Sequence, residues 1–208
     1  GYTMIFRFSY VLKAPAIKSV NLTNRAYISE LASIEAVLED RSGVGLDLSE
    51  TGSSIVVKDP SGKILQGDQV SSNNDTIIWK PVNILAKDGT DDGTYTVTIT
   101  PIDSLGTKGQ ERQYTLIYDT QVPEVISASP VDINSNITYV GQQILSIQVK
   151  ISDKGPAGLE IKDQQIYLVD SQNNQVAGVQ SDNKADIVFW NLNNPLPRNG
   201  SADGMYEV

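Results

Sequence analysis

Short runs in which apolar and polar residues alternate recur along the whole chain, each closed by turn-forming residues. In the first half they are Ile17–Leu22, Ile34–Glu39, Ser54–Lys58, Lys63–Gln66, Thr76–Lys80, Tyr95–Pro101 and Gln113–Tyr118. In the second half Ile147, Val149 and Ile151 alternate with Gln148 and Lys150 in the same manner. A period of two places successive side chains on opposite faces, so each run reads as a half-buried strand. Asp59-Pro-Ser-Gly62, Asp91-Asp-Gly93, Asp103-Ser-Leu-Gly106 and Gln172-Asn-Asn174 supply turn chemistry between them. Leu31–Leu38 also has a helical spacing, but its equivalent, Leu145–Ile151, alternates cleanly. The pattern predicts an all-β chain.

The two series are copies. A shift of 111 positions aligns Ile55–Val97 with Ile166–Val208 without a gap. Identities in this frame include Asp59/Asp170, Gly67/Gly178, Asp75/Asp186, Trp79/Trp190, Leu85/Leu196, Gly89/Gly200, Asp92/Asp203, Gly93/Gly204 and Tyr95/Tyr206. Upstream, Ile34-Glu-Ala-Val-Leu-Glu-Asp40 matches Ile147-Gln-Val-Lys-Ile-Ser-Asp153, and Gly45-Leu-Asp-Leu48 matches Gly158-Leu-Glu-Ile161. Pro15 corresponds to Pro123, which sets one domain at residues 15–122 and a second at 123–208. The second copy stops at the equivalent of Val97, before its last strand. Residues 1–14 read as the last strand of a preceding repeat, with Phe6-Arg-Phe-Ser-Tyr10 opposite Tyr114-Thr-Leu-Ile-Tyr118. The expectation is a window onto a longer array. Seven short strands in about 108 residues is the number an immunoglobulin-like sandwich needs, so the expected fold is two tandem β-sandwiches.

Several motifs carry a resemblance. Asp-Gly-x-Tyr-x-Val at 92–97 and 203–208 resembles the sixth strand of bacterial Ig-like and fibronectin type III-like repeats. Val56-Val-Lys-Asp-Pro-Ser-Gly-Lys-Ile64, a Trp, and Asp92-Gly-Thr-Tyr-Thr-Val97 are together similar to the Ig-like domain of the flagellar hook-cap family and its surface-protein relatives. Asp119-Thr-Gln-Val-Pro123 resembles the linker between many such repeats. The resemblance implies a fibronectin-like sandwich; the Cys-Trp-Cys signature of antibody domains is missing, and each Trp falls late in its copy. In related adhesin arrays, linker and end-loop Asp residues share an ion that stiffens the joint, which implies Asp103, Asp119 and Asp153 here as ligands of an interdomain calcium. Against this, the first joint, Val11-Leu-Lys-Ala-Pro15, carries no carboxylate.

Composition narrows the chemistry. The 208 residues include no Cys and no His, and 16 Lys and Arg face 25 Asp and Glu for a net charge of −9. No Ser-His-Asp triad, imidazole base, thiolate nucleophile, His-ligated zinc or disulfide can be built from this set. The acidic balance disfavours nucleic acid and anionic membrane as partners. No apolar run approaches the 18–20 residues of a membrane span, and no signal peptide opens the sequence, so an exported protein would be represented by a mature piece. Gly43-Val-Gly45 does not continue into a phosphate-binding pattern, and no Walker motif is present. Carboxylate pairs for glycoside hydrolysis need a cleft at fixed spacing that small sandwiches rarely offer. The chain reads as no enzyme, with no cofactor other than the calcium just named. The sequons at Asn21, Asn74, Asn136 and Asn199 are near chance in so Asn-, Ser- and Thr-rich a chain.

The aromatic residues have structural readings. Trp79 and Trp190 follow apolar pairs on a two-faced strand and are expected in the core; the alternative is an exposed sugar-stacking platform. Tyr95 and Tyr206 follow a tight turn by three residues, the position of a tyrosine corner. Asp88-Gly-Thr-Asp-Asp-Gly93 imitates a calcium loop, but its twelfth position is Ile99 and a strand follows, so a turn is expected. The function expected is a non-catalytic spacer or adhesion module of a larger bacterial cell-surface or secreted protein, with other domains of that protein, a cell-surface protein or a glycan as partners. The alternative is an accessory, carbohydrate-binding module of a secreted polysaccharide-degrading enzyme. Finally, Tyr2, Met4, Phe6, Phe8, Tyr10 and Leu12 share one strand face. Residues 2–12 are therefore expected to pair with a sheet, by head-to-tail strand exchange with a neighbouring molecule; the alternative is that further residues at both ends complete each partial domain.

Overall fold

In the computed structural model, which describes residues 4–7, 10, 13–135, 137–160, 164–184 and 186–208, alternation becomes strand wherever one face is covered. Strand β3 (Ile34–Glu39) shows the mechanism: Ile34, Ala36 and Leu38 are buried while Glu35 and Glu39 face solvent. The chain divides into two compact units, Gly1–Thr120 and Gln121–Val208. Among the described residues both units are all-β, and no helix is long and apolar enough to cross a membrane.

The first unit contains β1 (Ala16–Val20), β2 (Ala26–Ile28), β3, β4 (Ser54–Lys58), β5 (Gly67–Ser72), β6 (Thr76–Pro81), β7 (Gly93–Thr100) and β8 (Arg112–Tyr118). One sheet runs β1-β3-β6-β5 and the other β2-β8-β7-β4. All pairings are antiparallel except β2 with β8. Ile34, Leu38, Ile77 and Trp79 from one sheet meet Ile55, Val57, Val97, Ile99 and Leu116 from the other in a single apolar core. This is an Ig-like sandwich, with the inner faces supplying the stability that burial of apolar surface gives.

The second unit contains β9 (Glu124–Ser129), β10 (Ser146–Ser152), β11 (Val169–Asp170), β12 (Gly178–Lys184), β13 (Ile187–Leu192) and β14 (Tyr206–Glu207). Its sheet β9-β10-β13-β12 reproduces the order β1-β3-β6-β5, and β11-β14 reproduces β4-β7. Register is reproduced too: Ile34 lies opposite Trp79, and Ile147 lies opposite Trp190. Turn geometry follows the same frame. Gly62 and Asn173 both sit at positive φ, at +85° and +67°, beside Asp59 and Asp170, whose carboxylates accept the next backbone N–H groups.

Two local expectations are corrected. Lys63–Gln66 is no strand; it returns along β4 through a bridge from Ile64 to Lys58 and a Leu65 N–H bond to Val57 O. The strand is the next segment, β5, and β2 was not anticipated at all. For the expected strand 2–12, residues 2, 3, 8, 9, 11 and 12 lie outside the described residues. The others, 4–7 and 10, carry no strand in this chain, and Met4, Ile5, Phe6 and Tyr10 are exposed.

Candidate functional site

The aromatic residues repeated between the copies serve the fold. Trp79 is 3% exposed and Trp190 7%, both within their apolar cores. Gly67 and Gly178 pass directly over these rings, so close that a Cβ on Gly67 would fall 2.1 Å from Trp79 Cε2. Neither indole offers a face to a sugar.

Tyr95 Oη donates to Asp91 O and Tyr206 Oη donates to Ala202 O, each at 2.8 Å, so both copies have the expected tyrosine corner. Tyr95 also meets Tyr118 edge-on, with ring centroids 6.1 Å apart. Tyr118 Oη in turn donates to the carbonyls of Leu85 and Ala86. Burial, reinforced by the nearby Asp91 carboxylate, pushes the Tyr95 phenol up to about 12, above its ordinary value of 10.0. Tyr118 is raised for the same first cause, burial. A phenol whose folded pKa is raised contributes stability that is complete below pH 10 and lost as pH rises toward 12. The first unit is therefore expected to lose melting temperature across that interval. Tyr95→Phe should flatten part of the loss and leave the share that belongs to Tyr118; an unchanged alkaline profile in Tyr95→Phe would contradict the assignment.

Sequence reading missed Gln69 and Gln180. Gln69 Oε1 accepts from Ile55 N–H at 2.8 Å and its Nε2 donates to Ser53 O at 2.8 Å, so β5 is laced to the free edge of β4. Gln180 makes the same pair of bonds, with Ile166 N–H and Gln164 O. The two glutamines fall in the 111-residue frame, which was the available signal. Together with the returning 59–65 hairpin they occupy main-chain groups that an edge strand would otherwise present. A shallow groove of about 390 Å³ remains beside them, lined by Glu50, Ile64, Gln66, Asp68, Gln69 and the rim of Trp79.

The acidic residues are likewise engaged in turns. Asp88 accepts from the N–H and hydroxyl of Thr90, and Asp91 accepts from Ala86 N–H, so the 88–93 loop is the expected turn between strands. Asp92 accepts from both the N–H and the hydroxyl of Thr120, which ties the Thr of the linker motif to the Asp-Gly turn. Asp40 accepts from the Ser42 hydroxyl and from the N–H groups of Ser42, Gly43 and Gly45, and these bonds hold its carboxyl down to about 2.

Of the residues named for calcium, Asp103 and Asp119 belong to the first unit and Asp153 to the second. Asp103 is buried, its Oδ1 accepting from Leu105 and Thr107 N–H; its Oδ2 has no partner among the described residues. Asp119 follows β8 and its N–H donates to Ile28 O. Asp153 Oδ1 accepts from Gly155 N–H at 2.7 Å. Among the described residues no three His, Cys, Asp or Glu side chains are grouped to hold a metal ion.

The chain has distant likenesses among solved structures. No protein-family model matches the chain, and no curated protein does. The solved structure of PcoC, a methionine-rich copper resistance protein from Escherichia coli, is 14% identical with a TM-score of 0.39, covering 51% of this chain and 99% of that one. The N-terminal Ig1-2 module of the Drosophila receptor protein tyrosine phosphatase DLAR is 14% identical with a TM-score of 0.30, covering 94% of this chain and 89% of that one. Domains 1–6 of the surface layer protein SbsC are 15% identical with a TM-score of 0.31, and the match covers 85% of this chain but only 22% of that one. The sandwich architecture stands on the strand pairing itself.

Proposed function

We propose that this chain is a non-catalytic structural module, a pair of tandem Ig-like domains serving as spacer or adhesion segment in a larger cell-surface or secreted bacterial protein. One observation carries the reading: what the two copies hold in common is scaffold. Trp79/Trp190 fill cores, Tyr95/Tyr206 close corners, Gln69/Gln180 lace sheet edges and Asp59/Asp170 shape turns. Repetition of a fold together with the residues that hold it suits a part whose work is to hold position, each unit contributing length to an array.

The accessory carbohydrate-binding reading is separated by titration. Oligosaccharides added to the chain while the tryptophan fluorescence is recorded should leave it unchanged, because both indoles are buried. Saturable quenching that disappears in Trp79→Phe would overturn the spacer reading in favour of sugar binding. Calcium is tested alongside: a rise in melting temperature at millimolar calcium, abolished by Asp119→Ala, supports the interdomain ion, and no response removes it.

A further inference from the structure

The loop between β13 and β14 repeats a turn of the first unit with one chemical change. Asp88-Gly89-Thr90 and Asn199-Gly200-Ser201 stand in the same 111-residue frame. Asp88 Oδ1 accepts from the N–H and hydroxyl of Thr90. Asn199 Oδ1 accepts from the N–H of Ser201 at 3.0 Å and from its hydroxyl at 2.6 Å. Gly89 and Gly200 lie at φ +90° and +82°, and their carbonyls accept from Asp92 and Asp203 N–H. Where the first copy has a carboxylate, the second has a carboxamide. Asn199 is the chain's only asparagine followed by glycine, and both residues are exposed.

We propose that Asn199-Gly200 is a self-modification site, where the side chain closes on the following main-chain nitrogen to a succinimide that water opens to aspartate and isoaspartate. Gly200 N bonds to Asn199 Cγ, the Cγ–Nδ2 bond breaks, and the Gly200 amide proton leaves with Nδ2 as ammonia. Water then adds to either ring carbonyl, one opening giving aspartate and the other isoaspartate. An asparagine whose oxygen bonds the N–H two residues on is folded back over the intervening peptide, which sets Cγ beside the Gly200 nitrogen. The Ser201 N–H and hydroxyl stabilise the negative charge that Oδ1 gains as the nitrogen attacks. Gly200 has no Cβ to screen that approach. Other asparagines are turned elsewhere: Asn21 bonds Ser33 O and Glu35 N–H, Asn24 accepts from Thr115 N–H, and Asn174 donates back to Asp170. The aspartate product has its template in Asp88, whose carboxyl the Thr90 hydroxyl and N–H hold below the ordinary carboxylate range. It keeps the turn and adds one negative charge to a chain already at −9. Isoaspartate instead lengthens the main chain by a methylene and breaks the turn. This proposal goes beyond the spacer reading and does not depend on it.

Holding the full chain in mildly alkaline buffer and mapping its peptides by mass over time tests the site. Asn199 should exchange ammonia for water first, with isoaspartate among the products, while Asn73, Asn74, Asn173 and Asn174 stay intact over the same interval. Isoaspartate is the mark of the ring, because direct hydrolysis of the side chain gives aspartate alone. Ser201→Ala should slow the conversion about two- to tenfold, the worth of one hydrogen bond to the developing charge. Ser201→Thr should restore it, since Thr90 makes the same bonds in the first copy. An Asn199 that stays intact in the folded chain while the urea-unfolded chain converts overturns the proposal, because the turn then protects the side chain. A rate unmoved by Ser201→Ala overturns it too, as does aspartate formed without isoaspartate.

Discussion

Trp79→Ala removes about 3–5 kcal/mol from the stability of the first unit. The indole is 3% exposed, lies opposite Ile34 across β3 and β6, and packs with the apolar residues of both sheets. Its loss leaves a cavity that the sheets cannot close, because Gln69 and the 59–65 hairpin hold the neighbouring edge in place. Domains of this size are stable by only about 5–15 kcal/mol, so the change takes a large share of the total. Urea unfolding read by far-ultraviolet circular dichroism measures it; a midpoint like that of the unsubstituted chain would show that the ring is not part of the core.

A single methyl group on Gly67 should be nearly as damaging. The Cβ of Gly67→Ala would stand 2.1 Å from Trp79 Cε2 and 2.2 Å from Nε1, so either the indole or β5 must move. Overpacking of this kind costs about 1–3 kcal/mol, and here the obstacle is a ring buried in the same core as Ile34 and Ile77. Gly178→Ala repeats the clash at 2.6 Å from Trp190 Nε1 and should destabilise the second unit in the same direction. Because the methyl and the ring compete for one space, Gly67→Ala made in a Trp79→Ala background should cost almost nothing further. Additive losses in the double variant would mean that Gly67 is needed for some other reason.

The sequence reported this fold wherever burial leaves a period-two signal. β3, β4 and β6 fell within a residue of their observed bounds because their inner faces are Ile, Val, Leu and Trp. β5 was missed because Gly67-Asp-Gln-Val-Ser-Ser72 is a polar edge strand whose one indispensable side chain, Gln69, works by hydrogen bonds and leaves no apolar trace. β2 is three residues in a parallel pairing with β8, too short for any pattern. The tyrosine corner and the buried tryptophans were legible because the repeat fixed their frame. The three Asp residues named for calcium were chosen by residue type and linker motif, and residue type says nothing of distance. Asp92, whose carboxylate holds Thr120, was read only as a turn residue because the contact spans two segments far apart in sequence.

Structural sandwiches unfold under load as cooperative units, and pulling the chain from its two ends tests this most directly. Single-molecule extension is predicted to release the first unit in one cooperative step lengthening the chain by about 350 Å, the reach of roughly 100 unfolded residues. The step should weaken in Trp79→Ala and be indifferent to added sugars. Gradual extension with no such step, or a step that appears only when a saccharide is bound, would contradict the account.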